Sequence, residues 1–305
     1  MSNFTDFLIK PAGFGLDIGL RSLKIAQVSG PDLIGVNAAN IPEGSFSHNG
    51  IKDKQILADI IKKSLAEAKP QPITSKFVYS GLPESLVFTK FLTIPEASSD
   101  ELTRYITNEA IKFFPMQANE IYLDWEVAGQ TPEGATEVLA VAASKKTVDD
   151  LVETMNLAGL EMLNIETKPL ALTRALISAK ENELILMADI GAKVTSLVIL
   201  DNRTIRLTSV VKIGGDQLAT DLAGSVQVLS QEISHLMKYY QNKLLQAKIF
   251  KKIILAGGGS NVQGAVEALE QSIHTQTVVG RPAIKTKSYD PAFSVAVGLA
   301  MKANE

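Results

Sequence analysis

Two short strings hold the residues best suited to chemistry, GLDIGLRSLKIAQV at 15–28 and LMADIGAKVTSLVI at 186–199. In each, an apolar run ends in Asp-Ile-Gly, small or cationic residues follow, and a second apolar run returns. The pattern predicts a β-hairpin with Gly19 or Gly191 in its turn and backbone N–H groups facing outward, a shape that cradles phosphate. A single Asp-Ile-Gly is more often a plain turn. Two in matched contexts point to a duplicated architecture with an anion held between its halves.

A third string adds to this. KKIILA at 251–256 runs into Gly257, Gly258, Gly259, Ser260 and Asn261. A strand feeding a glycine-rich turn at a helix N-terminus favours an anion, and three glycines leave room for a base or ribose against the backbone. Gly214, Gly215 and Asp216 read equally as a ribose-side contact and as a simple β-turn. Lys24 suits both a phosphate contact and a solvated strand face.

Composition narrows the class. The 305 residues are 46% hydrophobic and 21% charged with a net charge of −3, which describes a soluble globular chain of two domains or one bilobal unit. No basic tract is present to hold a nucleic-acid backbone. Without cysteine there is no disulfide, thiolate metal site or thiol nucleophile. His48, His235 and His274 lack ligand spacing. The N-terminal MSNFTDFLIKPAG shows neither a signal peptide nor a membrane span, so a cytoplasmic location is expected.

The elements that must position these strings follow from periodicity. Residues 13–40 read as strands, and 52–69 as a helix stopped by Pro70. Between them and the second Asp-Ile-Gly lies a run of different texture. Short strands at 75–80 and 86–94 precede a helix over 99–113 that Pro115 stops. Strands at 121–129 and 137–144, joined by a Pro-Gly turn, then lead to a helix over 147–158. This β, α, β, β, α order predicts a small α+β insertion. The second half reads as strands at 184–190, 194–200 and 204–211, a long helix from 226 to 246, the strand at 251–256, a helix over 262–271 and a closing helix over 292–303.

The order GLDIGLRSLK, NIETKPLALTRAL, ADIGAKVTSL, ILAGGGSNVQG and PAFSVAVGLAM resembles the actin-like ATPase superfamily over nearly the whole chain. TIPEASSDELTRYITNEAIKFFPMQANEIYLDWEV at 93–127, IETKPLAL, IGGDQL and DPAFSVAVGLAM bring it nearest to the PilM family of type IV pilus assembly proteins, relatives of the FtsA family. The resemblance implies an α/β, actin-like fold of two duplicated lobes with a small inserted α+β subdomain. It divides the chain into a first lobe over 1–72, the partner-binding insertion over 73–164, a connecting helix over 165–183, a second lobe over 184–290 and a closing connecting helix over 291–305.

It further implies ATP between the lobes. Gly19, Arg21, Ser22 and Lys24 would line the first phosphate turn, and Gly191, Ala192 and Lys193 the second. Asp17 and Asp189 would orient Mg²⁺ through water, and Gly257 to Ser260 would form the adenosine turn. Glu166 would occupy the place of the residue that orients attacking water. The implied partner is the N-terminal cytoplasmic peptide of a PilN-like inner-membrane protein, with Phe88, Phe91, Leu92, Ile106 and Phe113 as apolar candidates in the insertion. The implied function is a cytoplasmic scaffold, at most a slow ATPase, attached to the inner membrane only through its partner. The chain departs from the family pattern in the few residues between IGGDQL and the long helix, which implies a strongly shortened outer subdomain of the second lobe. An FtsA-like filament protein and a small-molecule kinase of the same fold are the alternatives. The first is disfavoured by the ending KANE, which carries no amphipathic anchor, and the second by the lack of a substrate-facing catalytic Asp motif.

Overall fold

The computed structural model describes residues 12–47, 50–95, 99–113, 117–131, 134–243, 248–286 and 288–303. The first half opens with β1 (Phe14–Ile18), β2 (Ser22–Ser29) and β3 (Asp32–Asn40), followed by the short β4 (Phe46–Ser47) and β5 (Gly50–Ile51), α1 (Lys54–Glu67) and the short edge strand β6 (Lys69–Pro70). Asp53 caps α1 by accepting from the Ile56 N–H at 3.0 Å. Next come β7 (Phe77–Leu82), β8 (Val87–Ile94), α2 (Ser99–Phe113), β9 (Ile121–Gln130), β10 (Thr136–Ser144), α3 (Lys145–Leu157), β11 (Glu161–Thr167) and α4 (Lys168–Leu176). The second half comprises β12 (Leu184–Ile190), β13 (Thr195–Asp201), β14 (Thr204–Val211), α5 (Gly215–Thr220), α6 (Leu222–Lys243), β15 (Lys252–Ala256), α7 (Ala265–Ile273), β16 (Thr277–Val279) and α8 (Ser294–Lys302).

The two halves repeat one topology. One sheet runs β11-β7-β1-β2-β3-β6 and the other β16-β15-β12-β13-β14, each an antiparallel three-strand meander extended by two parallel strands beside its first strand. The register matches as well. Asp17 stands opposite Lys24 on one side and Gly81 on the other, and Asp189 opposite Ser196 and Ala256.

Each sheet has its own core. Phe14, Leu16, Leu23 and Ile25 pack with Leu57, Ile61 and Met155 in the first, and Leu186, Ile190, Leu197 and Ile199 with Leu229, Ile233 and Leu269 in the second. Between them α4 and α8 cross in close contact, because a Cβ on Gly298 would stand 1.9 Å from the Ala171 carbonyl oxygen. A Cβ on Gly15 would lie 2.0 Å from the Ala296 oxygen, so glycine also lets α8 lie directly on β1.

The insertion is narrower than the sequence suggests. β7 and β11 belong to the first sheet, where β7 pairs in parallel with β1, and α3 joins α1 through Lys54 and Asp150 at 2.7 Å. The independent part is the sheet β8-β10-β9 with α2 against it, around Leu92, Ile94, Ile106, Val138 and Ala140. Strands β11 and β16 went unforeseen, and the connecting helix expected over 165–183 is the shorter α4. The helix expected from 262 begins at Ala265, after a 3-10 turn over Gly258–Asn261. Only Asp221 separates α5 from α6, and it accepts from the Gly224 N–H at 3.0 Å. Pro115, Pro132 and Glu133 of the expected Pro-Gly turn, the first eleven residues and the last two lie outside the described residues, while the Gly134 N–H of that turn, at φ 87°, donates to the Thr131 carbonyl at 2.9 Å. Among those described, no helix is long and apolar enough to cross a membrane.

Candidate functional site

The matched hairpins face one another across a small cleft of about 100 Å³. The cleft brings together Asp17, Gly19, Arg21, Ser22 and Lys24 from the first half with Asp189, Gly191, Ala192, Lys193, Gly257 and Gly258 from the second. Both turns have the same build. The Gly19 N–H donates to the Ser22 carbonyl at 3.0 Å and the Gly191 N–H to the Val194 carbonyl at 2.9 Å. These N–H groups close their own turns rather than face outward, which corrects the expectation drawn from sequence. A Cβ would meet the receiving oxygen at 3.1 Å in either turn, which is why glycine serves in both.

Other residues expected at the site also brace the fold around it. Gly215 N–H donates to the Gly191 carbonyl at 2.7 Å and Asp216 N–H to the Ala192 carbonyl at 3.0 Å, so Gly214 to Asp216 brace the second turn from behind. The Asp216 carboxylate reaches the rim and takes Arg21 at 3.0 Å and Lys193 at 3.4 Å, one cation from each half. Gly259 is wedged against Ile190, where a Cβ would stand 2.2 Å from the Ile190 side chain. Ser260 is buried and donates to the Gly257 carbonyl at 2.7 Å. Gly257, at φ 78°, lets the chain pass Asp189, whose Oδ1 would lie 2.4 Å from a Cβ there.

Glu166 does not face the cleft. Its carboxylate grips Arg174 through both oxygens at 2.5 and 2.9 Å, and Arg174 also donates to the Gly298 carbonyl at 3.0 Å, tying β11 to α4 and α8. It is not available to orient water between the lobes. The side chain that reaches the cleft from this segment is Lys168, the first residue of α4. Its ammonium lies 2.5 Å from Asp17 Oδ1 and 2.9 Å from the Ile18 carbonyl. Sequence reading passed over it; its signal is a cation directly before Pro169 at a helix start, a place where the side chain is aimed by a rigid turn.

The two carboxylates therefore differ. Asp17 is buried against an ammonium. Asp189 is half-buried, and the burial of its carboxyl pushes it up to about 6 from the ordinary 3.8, with the Asp17 charge adding to the rise and Lys168 and Lys24 opposing it. Phosphate oxygens suit this cleft, since Arg21 and Lys193 supply cations at the two turns, Lys24 from β2 and Lys168 from the start of α4. Mg²⁺ fits poorly, because the Asp17 oxygen that would orient its water shell already holds Lys168 at 2.5 Å. No group of three or more acidic or histidine ligands stands among the described residues.

A second concavity of about 370 Å³ lies on another face, where the insertion meets the first lobe. Tyr122, Leu123, Trp125, Leu139 and Val141 line it from β9 and β10, and Ile165, Thr167 and Leu170 from β11 and α4. Both β9 and β11 are edge strands. The apolar candidates named from sequence lie elsewhere. Leu92 and Ile106 fill the core of the insertion, Phe91 lies under the Arg206 guanidinium at 5.0 Å, Phe88 is exposed away from the groove, and the Phe113 side chain lies outside what is described.

Comparison with known proteins agrees with this architecture. The family model for type IV pilus assembly protein PilM matches residues 15–228, and that for cell division protein FtsA matches residues 186–298. FtsA of Streptococcus pneumoniae serotype 2 (strain D39 / NCTC 7466) is 25% identical over 237 residues, 68% of this chain and 51% of FtsA. The chain thus spans about half the length of the curated relatives it matches. Among solved structures, a chain of the PilM-PilN type IV pilus biogenesis complex superposes with a TM-score of 0.83 at 23% identity, covering 97% of this chain and 99% of that one. Ethanolamine utilization protein EutJ from Carboxydothermus hydrogenoformans follows at 0.56 and 14% identity, over 94% and 88%. The fold is that of the actin-like ATPases, and the chain belongs to the type IV pilus assembly protein PilM family.

Proposed function

We propose that this protein is a scaffold of a type IV pilus, or related secretion, assembly machine, holding ATP between its lobes and an extended peptide of a PilN-like inner-membrane protein on its insertion. It works at the cytoplasmic side, peripheral to the membrane through that partner. The observation that carries this reading is the groove between two unpaired strand edges. Edge strands offer rows of free N–H and C=O groups, which favour an extended peptide over a helix, and the apolar floor takes alternate side chains. Large apolar side chains left exposed on the same edges support it, namely Tyr122 and Val127 on β9 and Leu163 on β11. Asp124 and Glu126 border the groove from β9, with Lys302 also in its lining and Glu166 already held by Arg174, so a free amino terminus suits the β9 side.

The chain carries one Trp, Trp125, and it lines this groove. Titration with the first residues of the PilN-like protein should therefore shift the tryptophan emission. Tyr122→Asp, at an exposed site, should weaken binding by about tenfold or more. Equal binding to both proteins would sink the groove assignment. The ATP part rests on the paired turns, and is tested by titrating labelled ATP against the wild type and a variant with both Arg21 and Lys193 changed to Ala.

A further inference from the structure

Taken as a nucleotide site, the cleft already contains the positive charge that a polyphosphate otherwise brings in as a divalent ion. Lys168 lies at the floor, 12% exposed, between the Asp17 carboxylate at 2.5 Å and the Ile18 carbonyl at 2.9 Å. Proline at the next position and the start of α4 fix where its stem departs. Lys24 stands opposite Asp17 in the hairpin register, with its ammonium 3.9 Å from the point a Cβ on Gly19 would occupy. Both cations act on Asp189 across the cleft.

Charge counting gives the consequence. Lys24, Lys168, Arg21 and Lys193 line the cleft with Asp17 and Asp189, and even with Asp216 counted from the rim the sum is net positive with every group ionised. An ammonium is a compact point charge with three N–H donors, and with two turned to Asp17 and the Ile18 carbonyl Lys168 keeps one for a phosphate oxygen. A hydrated divalent ion at Asp17 would have to displace it, and Mg²⁺ gives up its waters reluctantly.

We infer that Lys168 replaces the divalent cation in this cleft, so that a nucleoside triphosphate binds by its phosphates to Lys168 and Lys24 without Mg²⁺. This rests on reading the cleft as a nucleotide site, and the test separates the two.

The test is calorimetric titration of the full chain with ATP, once in excess EDTA and once in excess Mg²⁺. The affinities should agree within about threefold. Binding only with Mg²⁺ overturns the inference and leaves the nucleotide site standing, whereas binding in neither overturns the nucleotide reading and the inference with it. Lys168→Met should weaken binding in EDTA by at least about tenfold and make it recover on adding Mg²⁺, because Asp17 is then released. Should that variant fold poorly, the double variant Asp17→Asn with Lys168→Met removes the pair without stranding a charge. It should lose the same factor in EDTA, and unchanged binding by the double variant overturns the role of Lys168.

Discussion

The two Asp-Ile-Gly turns share a backbone and differ in how each carboxylate is kept. In both, a glycine N–H closes the turn onto a carbonyl at 3.0 and 2.9 Å, and in both a Cβ would be stopped at 3.1 Å. Opposite the aspartate, however, the first hairpin has Lys24 and the second Ser196. Asp17 is answered by an ammonium, and Asp189 by an environment that favours taking up a proton. Duplication preserves what backbone geometry demands. Side chains at the same register are free to solve the charge problem by different chemistry, which is where the two matched turns diverge.

The sharpest way to break the likeness is to neutralise each carboxylate in turn. Asp17→Asn strands the Lys168 ammonium in a buried site and should cost about 3 kcal/mol in denaturant unfolding, as for other broken buried pairs. Asp189→Asn should act with the opposite sign. A carboxyl raised from 3.8 to about 6 holds a proton in the folded state that the unfolded chain has released. Its contribution to stability therefore falls as pH rises from about 4 to about 6 and stays low above that. Asparagine escapes this loss, so the variant should gain about 1–2 kcal/mol at pH 8, a fraction of the ~3 kcal/mol ceiling from the shift, and nothing below pH 4. Equal signs for the two variants would mean that the halves manage charge alike.

The shared backbone is tested by Gly19→Ala and Gly191→Ala. In each, the oxygen 3.1 Å from the new Cβ must give way by a few tenths of an ångström. Both should lose about 1 kcal/mol, and by equal amounts. A difference larger than the error of the unfolding curves would show that only one turn is built as described.

These contrasts also mark what the sequence could convey. The hairpin strands and the glycine-rich turn were legible, because turn glycines and short apolar runs are local signals. The place of β7 was not, since a parallel strand is assigned by a partner far away in the chain, here β1, and nothing within 77–82 names it. The same gap misassigned the cleft residue. Glu166 is what the resemblance implies, and without β11 the segment IETKPLAL has no phase that would pick out Lys168. Once β11 ends at Thr167 and α4 begins, Lys168 enters the cleft while Glu166 is spent on Arg174. Asp216 reads from sequence equally as a ribose-side contact and as part of a simple turn, and its role in joining the halves depends on Arg21, which only the folded chain brings near.

That rim contact gives the smallest effect and the finest comparison. Asp216 holds Arg21 from the first turn and Lys193 from the second, with the Arg21 side chain 56% exposed, so the bridge is worth less than about 1 kcal/mol to folding. Yet a cleft of about 100 Å³ is below the roughly 300 Å³ of ordinary small-molecule sites, and under the proposed function a triphosphate would have to part this rim to enter. Asp216→Asn should leave the unfolding midpoint nearly unchanged while releasing one cation on each side. ATP affinity in EDTA should then rise by about twofold to fivefold, with a steeper dependence on salt. If the affinity fell instead, Asp216 would be holding the two cations in place for the phosphates, and the rim would be part of the clamp rather than its latch.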